Sequence, residues 1–424
     1  MAKLRSGLLG SSPDLELQSA RHELMIESNQ TDLPRLLYAS DVTVESSFHG
    51  SALLYRLLQN YPSDRLLILQ PSAVKAENCR RLAGVTYTGL RFGNHQLLHS
   101  RFSQIYRTWL ALTAKNGASA IRRECAEFRP EAVLTVIHGF SWIAAAEFAQ
   151  QEQLPLFAIV HDDWPHVNVL EAVRPRVERI FGATLRQAKV TFCVSPNMQE
   201  AYQTKYGASG CLLYPSQTRR SEIAESPTSA PDLHKPLTVA FAGTINSDGY
   251  AQLLRSVANG LASRRGRLLL FGPFSKNTLH TWGLDLDAVE NRGLIDSDDI
   301  GYHLAREADV LLVPMSFAEY EKENMRLGFP SKIAEYAATG IPMLIFVPEY
   351  CSAVRWAREN EPVAELVTEQ NSESLNLALD RLSSVQHREM LGRRACEVGR
   401  EFFSHETAES IFFGALRTVS SVRR

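Results

Sequence analysis

Residues 309–347 read DVLLVPMSFAEYEKENMRLGFPSKIAEYAATGIPMLIFV. Apolar runs open and close this stretch, at 309–315 and 341–347. Continuous apolar runs of this length are typical of strands that are buried on both faces of a sheet. Between them a helix is expected to begin at Pro330 and to end before Gly340 and Pro342. The stretch therefore predicts a strand–helix–strand unit of a parallel sheet.

The same alternation continues on both sides of this unit. Further apolar runs that predict strands cover 35–40, 64–70, 132–139, 154–163, 189–195, 237–243 and 267–273, and helical patterns cover 51–60 and 142–152. Residues 217–236 are polar and contain three prolines, which indicates a linker. The sequence predicts an α/β protein of two Rossmann-like, doubly wound domains that face each other across a cleft. The predicted parts are a flexible arm (1–33), the first domain (34–216), the linker, the second domain (237–402) and a last helix (403–424).

Composition limits the function classes. The 424 residues are 45% hydrophobic and 22% charged, with a net charge of −2, so nothing attracts the whole chain to nucleic acid. No apolar run is as long as a membrane span, and the first residues lack the apolar core of a signal peptide, so a cytoplasmic location is expected. The six cysteines form no C-x-x-C pair and the chain has no H-E-x-x-H motif, so no metal site is expected.

Ligands of parallel sheets bind beyond the carboxyl ends of the strands, so the residues that follow each strand are candidates for a site. Ser331 is expected to cap the helix that starts at Pro330. Lys332 in its first turn would favour a diphosphate, and Glu335 one turn later would accept hydrogen bonds from ribose hydroxyls. A capped helix with a solvated lysine and glutamate remains the alternative.

Other strand ends also carry polar residues. Gly243, Thr244 and Asn246 form either a loop that cradles an anion or a plain strand-to-helix turn. Further candidates on the acceptor side follow strands of the first half: His49, Gly50, His138, His161 and Asp162. Each histidine has the alternative of a structural, hydrogen-bonded role.

Two acidic pairs and one basic region have alternatives as well. Asp285 with Asp287, and Asp296 with Asp298, would hold a divalent cation against a diphosphate or cap helices. Residues 75–129 carry an excess of Arg and Lys among aromatic residues. Such a region would contact an anionic acceptor or the inner face of a membrane, or it is a set of solvated helix faces.

Several stretches of the second half resemble the retaining GT-B glycosyltransferases of family 4. In order along the chain they are FAGTI (241–245), LLLFGP (268–273), the run 291–315 and FPSKIAEYAATGIPMLI (329–345). Three stretches of the first half resemble this family more loosely: LTVIHG (134–139), IVHDDW (159–164) and CVSPNMQEAY (193–202). The resemblance implies transfer of a hexosyl group from a nucleotide diphosphate sugar to a hydroxyl of a glycan, lipid-linked or protein acceptor. It implies retention of configuration and no metal or other cofactor.

The resemblance also implies roles for individual residues. Glu335 matches the ribose-binding glutamate, and Ser331 and Lys332 match neighbours of the diphosphate. His138 matches a histidine near the transferred sugar, and Gly50 matches the glycine loop of the first domain. The residues expected to hold the donor are Gly243, Thr244, Asn246, Gly272, Ile295, Arg326, Pro330, Ser331, Lys332 and Glu335; those expected to be catalytic are His138, Lys332 and Glu335.

The sequence departs from the family pattern at two places. Leu327 stands eight residues before Glu335, where the family has a second glutamate, and Glu319, Glu321 and Glu323 are the acidic residues nearby. The Arg and Lys that often follow the glycine strand are absent after Gly243. Two other hypotheses therefore stay open: a catalytically silent GT-B partner subunit, and a sugar-nucleotide epimerase or hydrolase.

Overall fold

The computed structural model describes residues 32–46, 49–71, 80–90, 93, 95–98, 100–166, 169–217, 236–295 and 299–419, and only the backbone of 49, 95, 96 and 166. The expectations for the arm before residue 32, for nearly all of the linker and for Asp296 and Asp298 lie outside these residues. We refer to 32–217 as the first half and to 236–403 as the second half.

The first half is built on a sheet of parallel strands. They are β1 (Leu36–Ala39), β2 (Leu66–Pro71), β3 (Thr86–Leu90), β4 (Ala132–Val136), β5 (Leu156–Val160), β6 (Val190–Cys193) and β7 (Gly210–Leu212). Their order is β3-β2-β1-β4-β5-β6-β7. Strands β2 and β3 are therefore added on one side of β1, and β4 to β7 on the other side. The carboxyl ends of β1 and β4 are therefore a topological switch point, where α/β sheets bind their ligands.

The second half repeats this topology. Its strands are β8 (Thr238–Ala242), β9 (Arg267–Phe271), β10 (Val289–Gly293), β11 (Val310–Pro314), β12 (Met343–Phe346) and β13 (Glu365–Val367). Their order is β10-β9-β8-β11-β12-β13, again with parallel pairing. The corresponding switch point lies between β8 and β11, next to Gly243.

Helices connect the strands and cover both sheets. In chain order they are α1 (His49–Leu58), α2 (His95–Leu98), α3 (Ser103–Thr113), α4 (Ala118–Glu124), α5 (Ser141–Gln151), α6 (Arg174–Gln187), α7 (Pro196–Tyr206), α8 (Asp248–Ala262), α9 (Lys276–Thr281), α10 (Ile300–Glu307), α11 (Lys322–Leu327), α12 (Ser331–Ala337), α13 (Ser352–Glu359), α14 (Ser372–Leu382), α15 (Val385–Phe403) and α16 (His405–Arg417). None of the helices in the described part of the chain combines the length and apolar character needed to cross a bilayer.

Alternate residues of the strands enter different cores, which explains their continuous apolar sequence. Leu36 and Tyr38 of β1 pack in a cluster with residues of α1 and α16. Leu37 and Ala39, on the opposite face of the same strand, pack with α4 and α5. The first sheet is therefore covered on both faces, as the apolar runs predict.

The end of the chain returns to the first half. Ser404 interrupts the helix between α15 and α16, and its Oγ accepts the backbone N–H of Thr407 at 3.1 Å, which caps α16. Phe412 of α16 then packs against Phe192 of β6, with ring centroids 5.4 Å apart. Phe413 meets the edge of the Tyr61 ring at 5.6 Å. The last helix thus completes the core of the first sheet.

The two halves also contact each other beside the cleft. Ser195, at the end of β6, donates its hydroxyl to the carbonyl oxygen of Leu327 at 2.6 Å and accepts the N–H of Met198 at 3.0 Å. Asn197 donates to the carbonyl oxygen of Arg326 at 3.1 Å. The start of α7 is therefore fastened to the end of α11.

Candidate functional site

Gly243 begins the loop after β8 and lies against Lys332. Its N–H donates to the carbonyl oxygen of Phe271 at 2.8 Å, and its φ of +153° is disfavoured for other residues. A Cβ atom at this position would lie 2.7 Å from both Cε and Nζ of Lys332. The Lys332 ammonium lies 5.3 Å from the centroid of the Phe241 ring, a cation–π distance. The structure thus brings together Gly243 and Lys332, which lie 89 positions apart in the sequence.

Lys332 lies in an environment that would favour the binding of an anion. Burial lowers the pKa of its ammonium, because desolvation penalises the charged form, while the nearby Glu335 carboxylate acts in the opposite direction. An anionic ligand at this position would compensate the desolvated charge. The structure therefore gives Lys332 and Glu335 a shared electrostatic environment at the end of β8.

Tyr336 fixes α12 to the second sheet, and the sequence did not indicate it. Its hydroxyl accepts the N–H of Ala242 at 3.0 Å, and its ring is buried. Burial raises its pKa far above the usual value, so the phenol stays protonated. Because Tyr336 is the neighbour of Glu335, this bond sets the position of the carboxylate relative to Gly243.

Glu335 itself meets a cation from the other half of the molecule. Its side chain is 40% exposed, and Oε1 lies 3.5 Å from Nη2 of Arg56, whose side chain is 9% exposed. Arg56 belongs to α1, six residues after Gly50. Sequence reasoning missed it, because nothing in the pattern of α1 shows that this arginine reaches another domain.

The loop after Gly243 bonds both within itself and to the segment that follows β11. Thr244 donates its hydroxyl to Oδ1 of Asn246 at 2.9 Å. Ser247, which precedes α8, donates to Oε2 of Glu321 at 2.8 Å. A Cβ on Gly249 would lie 1.9 Å from Oγ of Ser316, so the loop lies directly on the segment that follows β11.

The three glutamates that follow β11 have different partners. The carboxylate of Glu321 contacts Ser247 at the N-terminus of α8, where the helix dipole favours negative charge. Glu319 pairs with Lys322 at 2.9 Å and Glu323 pairs with Arg326 at 2.7 Å. The charge of Arg326 is thus compensated within its own helix.

Leu327 and the start of α12 differ from the expected donor loop. Leu327 is buried, and its carbonyl oxygen is taken by Ser195. The prediction that Ser331 caps the helix is wrong: Pro330 occupies the N-cap position without a side-chain bond, and Ser331 is the first helical residue. The reason is that the preceding proline cannot donate and already sets the extended backbone before the helix.

The ends of β8, β9 and β10 meet at glycines. The N–H of Gly272 donates to the carbonyl oxygen of Gly293 at 2.8 Å. A Cβ on Gly272 would lie 2.2 Å from the carbonyl oxygen of Gly243, so no side chain fits there. Ile295 is half-buried just beyond Gly293. Gly293 and Gly272 are thus connected through these contacts to Gly243 and Lys332.

On the opposite wall, Asp41 organises the loop that carries His138. The Asp41 carboxylate accepts the N–H groups of Phe140 at 2.5 Å and Ser141 at 2.8 Å, at the start of α5. A Cβ on Gly139, whose φ is +61°, would lie 2.1 Å from Oδ2 of Asp41. Burial nevertheless raises the pKa of Asp41 above its usual value. His138 is exposed, and it is close enough to Asp41 and His161 to influence the pKa values of both.

The other acceptor-side candidates differ in burial and in their surroundings. Burial lowers the pKa of His161, and the neighbouring Asp162, which is exposed, opposes this shift. His161 also lines a small cavity of about 30 Å³ between α1, α16 and the segment 213–216. Gly50 has room for a Cβ, with Val42 3.8 Å away. The side chain of His49 lies outside the described part of the structure.

Asp285 and Asp287, the acidic pair that the structure describes, give no metal centre. Asp285 accepts a hydrogen bond from His280 at 2.8 Å, and both are exposed. Among the residues with described positions, no three His, Cys, Asp or Glu side chains converge in a way that would hold a metal ion.

The described part of the basic region carries an exposed apolar face on α3. Phe102 just before α3, and Ile105 and Trp109 within it, are 51%, 60% and 55% exposed. Arg101 lies over the Phe102 ring at 4.8 Å, and Tyr106 stacks on Trp109 at 5.7 Å. Cationic and aromatic groups are thus mixed on one surface.

Comparison with known proteins agrees with this architecture. The family model described as Glycosyltransferase Family 4 matches residues 89–212. No curated protein sequence matches the chain.

Solved structures with the same fold cover nearly the whole chain. Sucrose-phosphate synthase from Thermosynechococcus elongatus is 17% identical, with a TM-score of 0.66 over 91% of this chain and 99% of that chain. The α,α-trehalose 6-phosphate synthase from Burkholderia multivorans is 15% identical, with a TM-score of 0.64 over 92% and 99%. HepE of Anabaena, in complex with UDP-glucose, is 15% identical, with a TM-score of 0.63 over 92% and 100%.

These matches confirm the predicted fold class of two Rossmann-like domains. They also confirm the resemblance to family 4 for the part of the first half that the family model covers. The chain therefore has the GT-B fold, and its residues 89–212 match the family model described as Glycosyltransferase Family 4.

Proposed function

We propose that this protein transfers a hexosyl group from a nucleotide diphosphate sugar to the hydroxyl of an acceptor. The observation that carries the proposal is the contact of Lys332 with Gly243 beside Glu335, at the carboxyl end of β8. Lys332 supplies a cation for the diphosphate, and the exposed side of Glu335 supplies acceptors for the ribose hydroxyls. UDP is the first nucleotide to test, because HepE, which shares the fold, was solved in complex with UDP-glucose.

In the proposed reaction the bond between the anomeric carbon and the diphosphate oxygen breaks, and negative charge grows on the diphosphate. Lys332 stabilises this charge, and fixed charges in a water-poor site are the largest contribution in many enzymes. The acceptor oxygen bonds to the anomeric carbon on the face that the diphosphate leaves, which retains the configuration. The acceptor proton passes to an oxygen of the leaving phosphate. No metal ion or other cofactor takes part in this scheme.

His138 has a positioning role in the proposal. It lies exposed at the end of β4 on the first wall, in a loop that Asp41 and Gly139 hold in place. From there it would orient the sugar, while the leaving phosphate takes the proton. Closure of the two halves would exclude water, so that the acceptor rather than solvent attacks.

Thermal unfolding in the presence of nucleotides tests the donor site. A ligand at 100 times its Kd adds about 2.7 kcal/mol to the free energy of unfolding, which raises the unfolding midpoint. We expect one nucleoside diphosphate to give this shift, with or without EDTA, and Glu335→Ala to lose it. Glu389→Ala, a change of an exposed glutamate on α15, is the control and should keep it. The absence of a shift with every nucleotide would contradict the proposal.

A catalytically silent partner subunit is the second candidate, and Leu327 is the observation in its favour. The family position for a carboxylate is occupied by a buried leucine whose carbonyl oxygen is used to join the halves. Incubation with the bound nucleotide sugar, with and without acceptors, separates the candidates. Transfer to an acceptor supports the transferase. Binding without turnover supports the silent subunit, and turnover without acceptor supports an epimerase or hydrolase.

We also propose that the protein works in the cytoplasm at the inner face of a membrane, on a lipid-linked acceptor. The support is the α3 surface, where Ile105 and Trp109 are exposed next to Arg101. Aromatic and basic groups on one helix surface favour an anionic bilayer. We expect co-sedimentation with vesicles that contain phosphatidylglycerol, and loss of it in I105S/W109S. Leu377→Ser, a change of an exposed residue of α14, is the control, and equal sedimentation of all three proteins would contradict the proposal.

A further inference from the structure

The ion pair between Arg56 and Glu335 joins the two halves directly at the candidate donor site. Arg56 lies on α1, which packs against the first sheet, and Glu335 lies on α12, which Tyr336 ties to β8. The distance from Nη2 to Oε1 is 3.5 Å. The carboxylate that would receive the ribose is thus already in contact with the opposite wall of the cleft.

Burial differs strongly between the two partners. The Arg56 side chain is 9% exposed, so its charge needs compensation within the protein, and Glu335 provides a carboxylate for it. The Glu335 side chain is 40% exposed, so part of the carboxylate remains open to the cleft. A contact of 3.5 Å is longer than the roughly 2.7–2.9 Å of a charge-assisted hydrogen bond, so the pair leaves Glu335 with capacity to accept further donors.

Glu335 therefore lies between cations that come from different halves. Lys332 is one turn away on the same helix, and its pKa responds to the Glu335 charge. Arg56 approaches from the first half. A carboxylate accepts stronger hydrogen bonds from hydroxyl groups than a neutral acceptor does, so its orientation between the two cations matters for a bound ribose.

We propose that Arg56 is a positioning residue of the donor site. Its guanidinium holds the Glu335 carboxylate in place and oriented for the nucleotide ribose, and it does so from the opposite half. The binding of the ribose and the approach of the two halves then depend on the same carboxylate. This inference rests on the proposed function, because it assumes that Glu335 receives a nucleotide.

The exposed pair between Arg355 and Glu200 provides a matched control. It also joins the halves, at 2.7 Å, but its side chains are 38% and 65% exposed. Exposed ion pairs contribute little to stability because solvent screens them. Its removal therefore tests whether any loss of an ion pair between the halves weakens nucleotide binding.

Titration calorimetry with UDP on the full chain measures the effect. If UDP gives no shift in the unfolding screen, the nucleoside diphosphate that does is used instead. We expect the Kd to rise about tenfold in Arg56→Gln and about threefold in Arg56→Lys, which keeps the charge but not the planar fork. Arg355→Gln should stay within twofold of the unchanged protein. An Arg56→Gln protein that binds UDP as tightly as the unchanged protein overturns the inference.

A double-mutant cycle separates positioning from direct contact. If Arg56 acts through Glu335, R56Q/E335Q binds UDP within twofold of Glu335→Gln alone. If Arg56→Gln weakens binding by the same factor in both backgrounds, Arg56 does not act through Glu335 and the inference is wrong. Circular dichroism confirms that each variant is folded, and Arg56→Lys carries the test if Arg56→Gln is not.

The proposed function and this inference fail in different ways. If the unchanged protein binds no nucleotide of the panel, the proposed function fails and the inference fails with it. If the unchanged protein binds UDP, Glu335→Gln weakens binding and Arg56→Gln does not, only the role of Arg56 is refuted.

Discussion

Gly243 occupies a position where a single methyl group is expected to disturb the site. In Gly243→Ala the new Cβ would lie 2.7 Å from the Lys332 ammonium, and the backbone φ of +153° would be strained. Lys332 must then leave the end of β8, so we expect the Kd for the nucleotide to rise about tenfold or more. Titration calorimetry with UDP checks this.

The control for this change is Gly414→Ala, on α16, where a Cβ meets nothing within 4 Å. Ala stabilises a helix interior by about 0.5–1 kcal/mol over Gly, so this variant should be slightly more stable and bind UDP normally. Normal binding by both alanine variants would show that Lys332 needs no contact with Gly243.

Asp41 offers a test that depends on pH. Asp41→Ala leaves the N–H groups of Phe140 and Ser141 without their acceptor, which costs about 1–3 kcal/mol of unfolding free energy. Asp41→Asn keeps an acceptor oxygen and removes the buried charge, so we expect it to be at least as stable as the unchanged protein at pH 7. Urea unfolding of both variants measures this.

The sign of the pH effect follows from the raised pKa of Asp41. Between the unfolded value and the higher folded value, the native state binds more protons, so stability falls as the pH rises through this window. Asp41→Asn lacks this dependence. The unchanged protein should therefore lose stability relative to Asp41→Asn between pH 4 and pH 7, and a gain over that range would contradict the raised pKa.

At the scale of elements, α16 is expected to control the stability of the first half. Phe412 is fully buried against Phe192 of β6. Truncation of a buried phenylalanine costs about 3–5 kcal/mol, so Phe412→Ala should lower the unfolding free energy by this amount. The matched change Leu377→Ala, at an exposed residue of α14, should stay within about 0.5 kcal/mol. Urea denaturation compares the two, and a similar small effect would refute the role of α16.

The sequence predicts strands well where both faces are buried and poorly at the sheet edges. Each of the apolar runs that predicted strands contains a strand of the structure. β3, β7, β10 and β13 were missed, and they are edge strands. Nearly all residues of β3 and β10 are exposed or half-buried, so these strands carry no continuous apolar run that would distinguish them from loops.

The candidate site shows a similar division. Lys332 and Gly243 were predicted because helix starts and strand ends leave a local pattern. Arg56 and Asp41 were missed because their roles depend on residues far away in the sequence. Asp41 lies two residues after the end of β1, so the rule that directed attention to strand ends would have found it.

For the whole molecule, we expect the halves to unfold together. One apolar cluster runs from Trp142 in the first half to Trp356 in the second, through residues such as Leu327 and Phe329. α16 adds a second connection, because it belongs to the end of the chain and packs on the first sheet. Differential scanning calorimetry should therefore give one transition whose calorimetric and van't Hoff enthalpies agree. Two separate transitions would show that these contacts are too weak to couple the halves.

The return of α16 to the first sheet also has a consequence for synthesis. Tyr61 and Phe192 of the first half are translated early, but the rings that cover them, Phe413 and Phe412, come from the end of the chain. At roughly 5–20 residues per second, the ribosome needs on the order of 10–40 s to make the intervening second half. During that time the part of the first sheet that α16 covers stays exposed, which makes the nascent chain a client for chaperones. The first half can complete its core only after α16 has been translated.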